Sequence, residues 1–233
     1  MSARFGRIPG CKKLISYFDR LLCVIHSRFE NSFDKTYGTN TAGRIPLREL
    51  TIRSGNTDAG TWYEPCSPRV FRQIMDHLPI NFNEFDLIDL GSGKGRALLL
   101  ASDYGFKRIV GVEFAEELHD ASVRNIALWS QRTGRRNVEA ICMDATDFAI
   151  PDGPLVVFLF SPFRGEVMEH VLANVAASHA MNPREIVIIF WGRNSESIRL
   201  LNTIGFHGRE LVLRPDWTRF TNYRTLIFTG GSR

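Results

Sequence analysis

From residue 67 onward, short apolar segments alternate with segments of helical periodicity, and this alternation restricts the fold more than any other feature of the chain. Apolar segments typical of buried strands occupy residues 85–90, 108–113, 138–143, 155–160 and 185–191. Segments typical of helices occupy residues 67–78, 96–104, 116–132, 165–180 and 196–204. Because nearly continuous apolar strands need helices on both faces, we predict a doubly wound, mostly parallel α/β sheet.

The last two predicted strands, residues 209–213 and 224–229, have no helical segment between them. Neighbours of this kind pair as a hairpin, because a parallel pair needs a longer crossover connection. We therefore predict a seven-stranded sheet in which one C-terminal strand runs antiparallel to the others.

Residues 1–60 follow a different pattern from the α/β region. Apolar residues recur at three- and four-residue spacing over residues 14–29, which predicts an amphipathic helix that docks on the domain rather than anchoring in a membrane. Residues 31–60 are rich in Gly, Thr and Asn, which predicts a linker or a lid. The predicted organisation is a helical extension with its linker at 1–60, followed by an α/β domain at 61–233.

The net charge of +4 is concentrated in this extension. Residues 1–53 contain ten Lys and Arg against four Asp and Glu, whereas the remainder contains nineteen against twenty-one. A basic arm is suited to contact nucleic acid, an anionic membrane surface or an acidic protein. Because the charges form no continuous run, a solvated, docked helix is the favoured interpretation, and a membrane-surface or acidic-partner contact is the alternative.

The four cysteines, at positions 11, 23, 66 and 142, form no CxxC pair and have no His at zinc-ligand spacing. This distribution argues against a metal site and a disulfide framework, and it favours a cytoplasmic location. No segment reaches the roughly 18–20 uninterrupted apolar residues of a membrane span. The N-terminal residues also lack the apolar core and cleavage site of a signal peptide.

The sequence DLGSGKGR, from Asp89 to Arg96, lies between a predicted strand and a predicted helix. Glycines in such a turn let the backbone approach a ligand closely and leave N–H groups at the helix N-terminus. The third glycine follows the second by two positions, so the spacing differs from the dinucleotide fingerprint. The Walker sequence is also absent, which argues against a P-loop.

Two carboxylates end successive predicted strands. Asp89 lies at the end of the first, just before the turn, and Glu113 closes the next one, 24 positions later. A carboxylate at the first position can accept a hydrogen bond from a ligand amine, directly or through water, and one at the second can accept from both hydroxyls of a ribose. The alternative is a tight strand–helix turn without a ligand, and the combination of glycines and carboxylates favours the ligand.

Over about residues 85–163, and more loosely to the C-terminus, these motifs resemble the class I S-adenosylmethionine-dependent methyltransferases. DLGSGKGR resembles their motif I, GVEF the strand end that holds the ribose, and CMDATDF the segment that contacts the adenine. The terminal hairpin fits this class, whereas dehydrogenases usually lack it. The resemblance implies S-adenosylmethionine as cofactor and S-adenosylhomocysteine as product, held by Asp89, Gly91, Ser92, Gly93, Gly95, Glu113, Phe114, Asp144 and Ala145.

In the CMDATDF segment, the resemblance implies that Asp144 accepts a hydrogen bond from the adenine amine while Ala145 offers its backbone N–H. The alternative is a plain turn in which Asp144 and Asp147 are solvated. The position of the segment after the third predicted strand favours the first interpretation.

A narrower resemblance links the chain to a bacterial group of methyltransferases without an assigned acceptor. It runs from Phe33-Asp34 through YEPCSP and the motifs above to the SPF tripeptide. The YEP residues, 63–65, resemble a segment that packs against the cofactor in related enzymes, which implies that Tyr63 faces the reacting centre. The alternative is a turn fixed by its proline.

The tripeptide Ser161-Pro162-Phe163 ends the fourth predicted strand, beside the position expected for the transferred methyl. Amine methyltransferases often carry [DNS]PP[YFW] here, in which the polar residue binds the amine and the ring contacts the forming cation. One proline is missing in this chain. The resemblance implies that Ser161 and Phe163 face the reacting centre, with a protein or other amine as the preferred acceptor and a small molecule or RNA left open.

Methyl transfer to a neutral nitrogen needs mainly alignment, so the absence of a clear general base does not argue against activity. Two alternatives stay open. One is a catalytically silent module that binds the cofactor and acts through the basic N-terminal arm. The other is a nicotinamide-dependent oxidoreductase, which the glycine spacing and the hairpin disfavour. The tryptophans at 62, 191 and 217 either flank an acceptor pocket or pack in the core.

Overall fold

The computed structural model describes residues 32–52, 60, 62–192, 199–200, 202, 205–213 and 223–230. The helix predicted at 14–29 and Trp217 lie outside the described residues, as does most of the helix predicted at 196–204. The predictions for these segments therefore stay predictions.

The described strands form one twisted layer with helices around it. Their bounds are β1 Asp86–Leu90, β2 Arg108–Glu113, β3 Val138–Cys142, β4 Leu155–Leu159, β5 Ile186–Gly192, β6 His207–Leu211 and β7 Arg224–Gly230. Their order across the sheet is β3-β2-β1-β4-β5-β7-β6. Strands β1 to β5 pair in parallel, and β7 lies antiparallel between β5 and β6. This order confirms the predicted doubly wound sheet with one antiparallel C-terminal strand.

The described α-helices within the domain have the bounds α1 Pro68–Asp76, α2 Arg96–Ala101, α3 Glu116–Thr133 and α4 Gly165–Met181. The predicted start of α1 is confirmed, because the Ser67 hydroxyl accepts a hydrogen bond of 3.4 Å from the backbone N–H of Val70. Residues 32–37 are also helical, and short 3-10 helices lie at Leu47–Glu49, Phe82–Glu84 and Ala145–Asp147.

Two predicted boundaries are wrong for local reasons. The helix expected over 96–104 ends at Ala101, because the N–H groups of Asp103 and Tyr104 bond to carbonyls three residues back and Gly105, at φ 79°, turns the chain toward β2. The strand expected at 209–213 lies two residues earlier, because its pairing with β7 runs from His207 to Leu211.

The core has two halves, since alternate side chains of each strand point to opposite faces of the sheet. On one face, α1, α2 and α3 contribute Phe71, Leu98 and Trp129. On the other face, α4 contributes Met168 and Val171. The two packed halves fix the carboxyl ends of β1, β2 and β4 in one row, where the candidate site lies.

Part of the predicted linker or lid packs against the domain. We call residues 32–52, together with 60, 62 and 63, the N-terminal strap. Isolated antiparallel bridges join Ile45 to Tyr63, Ile52 to Ala115 and Gly60 to Phe163. Because the last two partners follow β2 and β4, the strap lies across the carboxyl ends of these strands. The domain boundary after residue 60 stays a prediction.

Within the part of the chain that the structure describes, no helix combines the length and apolar character needed to cross a membrane. The same residues contain no group of three or more His, Cys, Asp and Glu side chains arranged to hold a metal ion.

Candidate functional site

A cleft opens at the carboxyl ends of β1, β2 and β4, with the N-terminal strap as one wall. It encloses about 860 Å³, including the part that is open to solvent. Of the twelve residues to which the resemblance gives a site role, ten line it: Tyr63, Asp89, Gly91, Ser92, Gly93, Glu113, Phe114, Asp144, Ala145 and Phe163. Gly95 and Ser161 are also described, but they do not line the cleft.

The turn after β1 needs glycine at two positions for reasons of space and backbone conformation. Gly91 and Gly93 have φ angles of 89° and 55°, in the left-handed region that residues with a side chain rarely adopt. A Cβ atom on Gly91 would overlap the side chain of Pro162, and one on Gly93 would overlap the ring of Tyr63. The turn is therefore closely packed by the loop after β4 on one side and by the strap on the other.

Two other residues of this turn pack against neighbouring elements. Gly95, at φ 84°, is the N-cap of α2, and its Cα faces the Ser122 hydroxyl of α3, so the structure gives it a packing role rather than a cleft position. The Ser92 side chain lies against Gly111 of β2. Its buried hydroxyl has no hydrogen-bond partner among the described residues.

Asp89 is a buried carboxyl group at the floor of the cleft. It is 3% exposed, and its Oδ1 has no hydrogen-bond partner in the described part of the chain. Burial, together with the nearby charge of Glu113, raises the pKa of Asp89 to about 8. A buried acceptor without a donor is costly unless a ligand supplies the donor, so this atom points to a ligand with an N–H group.

Glu113 holds the glycine turn and the start of α3 together. Its Oε2 accepts a hydrogen bond of 2.8 Å from the N–H of Gly93, and its Oε1 accepts one of 2.9 Å from the N–H of Ala115. Burial raises the pKa of Glu113, and these backbone hydrogen bonds counteract that rise. Because a carboxylate offers about four lone-pair positions, both oxygens retain capacity for hydroxyl donors from the cleft.

The far end of the cleft is formed by Phe114, Asp144 and Ala145. Asp144 is half-buried, and its Oδ1 accepts hydrogen bonds from the Thr146 N–H at 3.0 Å and the Thr146 hydroxyl at 2.8 Å. Asp147 is exposed. The solvated-turn interpretation therefore fits Asp147, whereas Asp144 is held at the wall of the cleft.

Tyr63 contributes its ring to the cleft but uses its hydroxyl elsewhere. The residue is 8% exposed, and its ring lies against Gly93, with the Lys94 ammonium 5.3 Å from the ring centroid. The hydroxyl donates a hydrogen bond of 2.5 Å to the carbonyl of Thr41 in the strap. Tyr63 thus covers the glycine turn, and its hydroxyl is directed away from the position predicted for the reacting centre.

The two predicted residues of the SPF tripeptide are separated by the structure. Phe163 is buried and lines the cleft. Ser161 has a φ of 44° and directs its hydroxyl toward Gly192 at the end of β5. The polar residue expected to bind an amine therefore faces the neighbouring strand, and the aromatic residue alone keeps its expected place in the cleft.

Two further residues line the cleft: Glu64, from the YEP segment expected to pack against the cofactor, and Arg96, for which the sequence predicted no separate role. The Glu64 side chain is 4% exposed and lies 3.0 Å from the Arg44 guanidinium of the strap. Arg96 is 2% exposed in the first turn of α2. A positive charge at the N-terminus of a helix is unfavourable, because this end of the helix dipole is itself positive. A basic residue that directly follows a glycine turn therefore indicates an acidic partner elsewhere in the chain.

An aromatic cluster lies beside the cleft at the ends of β4 and β5. Phe160, which lines the cleft, stacks on Trp191 with ring centroids 4.2 Å apart, and the edge of Tyr223 contacts both rings. Of the predicted tryptophans, Trp191 is a core residue at 3% exposure, whereas Trp62 lines the cleft and is 55% exposed.

No protein-family profile matches the chain, and no curated protein matches its sequence. Solved structures do match its fold. Precorrin-6y C5,15-methyltransferase from Geobacter metallireducens is 14% identical, with a TM-score of 0.54 over 79% of this chain and 94% of that chain. The putative methyltransferase yhhF from Escherichia coli is 16% identical, with a TM-score of 0.51 over 82% of this chain and 100% of that chain.

An RNA methyltransferase from Salinibacter ruber, solved in complex with S-adenosyl-L-homocysteine, is 15% identical, with a TM-score of 0.51 over 72% of this chain and 95% of that chain. Identities this low establish the fold alone. The chain therefore shares the Rossmann-like fold of these methyltransferases, the fold predicted from its sequence.

Proposed function

We propose that this protein is an S-adenosylmethionine-dependent methyltransferase. The observation that supports the proposal most strongly is the Asp89 carboxyl group, which is buried at the cleft floor and has an oxygen without a donor among the described residues. Glu113 at the adjacent strand end, 20 positions beyond Gly93, provides a second acceptor in the same cleft. Together they offer one acceptor for an amine and one for ribose hydroxyls.

The residues of the cleft fit this cofactor from end to end. Asp89 would accept a hydrogen bond from its amine, Glu113 would accept from the ribose hydroxyls, and Asp144 with the N–H of Ala145 would hold the adenine. When bound, S-adenosylmethionine supplies a methyl group on a positively charged sulfur. The chain contributes orientation, because Gly91 and Gly93 let the backbone approach the ligand and Phe163 gives the cleft an apolar wall.

We propose that the methyl acceptor is an amine. Fewer residues support this proposal than the sequence suggested. Phe163 and the rings of Phe160 and Trp62 give the cleft an aromatic wall suited to a nitrogen that becomes cationic during transfer. Ser161 adds no support, because it faces Gly192. The basic N-terminal arm lies mainly outside the described residues, so its contact with a membrane surface or an acidic partner stays a prediction.

Glu113→Gln is expected to reduce the affinity for S-adenosylhomocysteine about ten- to hundred-fold. Glutamine has the same shape, but its amide NH₂ would face a backbone donor, Gly93 or Ala115, and the ribose would lose a charged acceptor. Isothermal titration calorimetry measures the change. Glu139→Gln, an exposed position outside the cleft, is the matched control and should bind as the wild type does. Absence of binding by the wild type would overturn the assignment.

Methyl transfer itself is tested by incubating the protein and radiolabelled S-adenosylmethionine with fractionated lysate. Label on an amine nitrogen in any fraction supports the proposed acceptor class, and label only on carbon or oxygen contradicts it. Binding without transfer to any fraction would favour the silent module instead. Titration with reduced nicotinamide cofactor tests the oxidoreductase alternative, for which we expect no binding.

Binding of S-adenosylhomocysteine is expected to weaken as the pH falls below about 8, the pKa of Asp89 in the free protein. The ligand ammonium binds the ionised carboxylate, so the protonated form must first lose its proton. Affinity should fall by up to about ten-fold per pH unit below that pKa and be highest where Asp89 is ionised and the ligand amine is still protonated. Calorimetry in buffers of different ionisation enthalpy should detect proton release on binding. A flat profile between pH 6 and 8 would contradict the role of Asp89.

A further inference from the structure

The glycine turn has a second set of contacts on the side that faces the N-terminal strap. Arg96 Nε donates a hydrogen bond of 2.6 Å to the Thr41 hydroxyl, and Lys94 Nζ donates one of 3.0 Å to the Ala42 carbonyl. Thr41 itself is fully buried. The two basic residues of the DLGSGKGR sequence thus both contact the strap.

Asp34 organises this part of the strap. Its carboxylate accepts hydrogen bonds from the Thr39 hydroxyl at 2.7 Å, the Thr41 N–H at 2.9 Å, the Thr41 hydroxyl at 2.7 Å and the Ala42 N–H at 2.7 Å. Its Oδ2 also lies 3.7 Å from Arg96 Nη2. One carboxylate therefore fixes three strap residues and faces the cation at the start of α2.

The charge of Arg96 explains why an acid is needed here. The guanidinium side chain is 1% exposed, lies 5.1 Å from the centre of the Phe33 ring, and occupies the end of a helix whose dipole repels cations. A buried cation without a counter-charge is strongly destabilising. Burial alone would raise the pKa of Asp34, but its hydrogen bonds lower it, so Asp34 remains ionised near neutral pH.

Hydrogen bonds of Asn125 and Tyr63 also connect the strap to the glycine turn. Asn125 Nδ2 donates to the carbonyls of Lys94 at 2.9 Å and Asn40 at 3.2 Å, and its Oδ1 accepts from the Asn40 N–H at 2.8 Å. The Thr41 carbonyl accepts from Tyr63, whose ring covers Gly93. The strap therefore reaches the turn at Gly93, Lys94 and Arg96.

We propose that Asp34 is a positioning residue for cofactor binding, acting through Thr41 and Arg96 to hold the glycine turn in its binding conformation. The inference rests on the proposed function, because it concerns affinity for the same cofactor. Asp34 does not line the cleft, so its effect on the ligand is transmitted through the residues that do. It follows that the strap is part of the cofactor site, although all of it lies outside the DLGSGKGR motif.

The test uses the full-length chain and S-adenosylhomocysteine as probe. Asp34→Asn is expected to weaken binding about ten-fold, as is common when a partner that orients a binding group is removed. Affinity is measured by calorimetry at a temperature where circular dichroism shows each variant to be folded, so a loss of global stability alone leaves the value unchanged. Lys35→Ala, the exposed neighbour in the same helical turn, is the control and should bind as the wild type does.

A double-mutant cycle with Arg96→Lys tests the route. If Asp34 acts through the guanidinium, the double variant should bind about as weakly as either single variant, whereas multiplied losses would overturn the inference. If Asp34→Asn fails to fold, Thr41→Val, a change of similar volume that breaks the same link, should show the ten-fold loss. If a folded Asp34→Asn or Thr41→Val variant binds with wild-type affinity, this inference is overturned and the proposed function is unaffected. Absence of binding by the wild type overturns the proposed function with it.

Discussion

Asp89→Asn is expected to weaken binding of S-adenosylhomocysteine by at least about a hundred-fold, since it removes one partner of a buried charge pair with the ligand amine. The same change should stabilise the ligand-free protein at pH 8. The pKa of Asp89 in the folded protein, about 8, lies well above the ordinary value of an aspartate in an unfolded chain, so the folded chain binds the extra proton and loses stability as the pH rises between these two values. Asparagine carries no charge and escapes this loss.

Calorimetry and thermal unfolding without ligand check the two effects. Asp86→Asn is the matched control, because Asp86 begins the same strand at the end opposite the cleft and does not line it. Its affinity for the ligand should equal that of the wild type. Binding by Asp89→Asn within a few-fold of the wild-type value would remove the main support for the proposed function.

Gly91→Ala is expected to abolish detectable binding and to lower the free energy of unfolding by about 2–3 kcal/mol. Alanine at a φ of 89° is strained, and its Cβ would overlap Pro162, so the loop that carries Phe163 must move. Calorimetry and chemical denaturation measure the two losses.

Gly105→Ala separates backbone strain from steric overlap. Gly105 has a similar φ of 79°, but no described atom lies within 4 Å of the position of an added Cβ. This variant should lose about 1 kcal/mol of stability and retain wild-type affinity for the ligand. Equal behaviour of the two variants would show that the contact with Pro162 is unimportant.

The sheet was predictable because its determinants are local. Each strand of the parallel part is a short apolar run, and the absence of a helix between the last two strands dictates their hairpin. Boundaries were less predictable, since the end of α2 depends on how Gly105 redirects the chain and the start of β6 on its register with β7.

The candidate site was predictable where its residues end strands. Asp89 and Glu113 meet because parallel neighbours bring their carboxyl ends together, a consequence of topology that the order of predicted elements contains. The orientation of Ser161 was not predictable, because it depends on a left-handed backbone conformation packed against Gly192. The contact between Asp34 and Arg96 was also not predictable, since the two residues lie in distant segments and no pattern in the sequence relates those segments.

The contacts between the strap and the glycine turn also determine when the site forms during folding. Asn40 and Asn125 are 85 positions apart, and Thr41 and Arg96 are 55 apart, so both contacts close long loops. Closing such loops costs chain entropy before the contacts repay it. During synthesis the strap leaves the ribosome long before its partners exist. We expect the sheet to form first and the strap to pack against it last. The chain would then become able to bind its cofactor only at the end of folding.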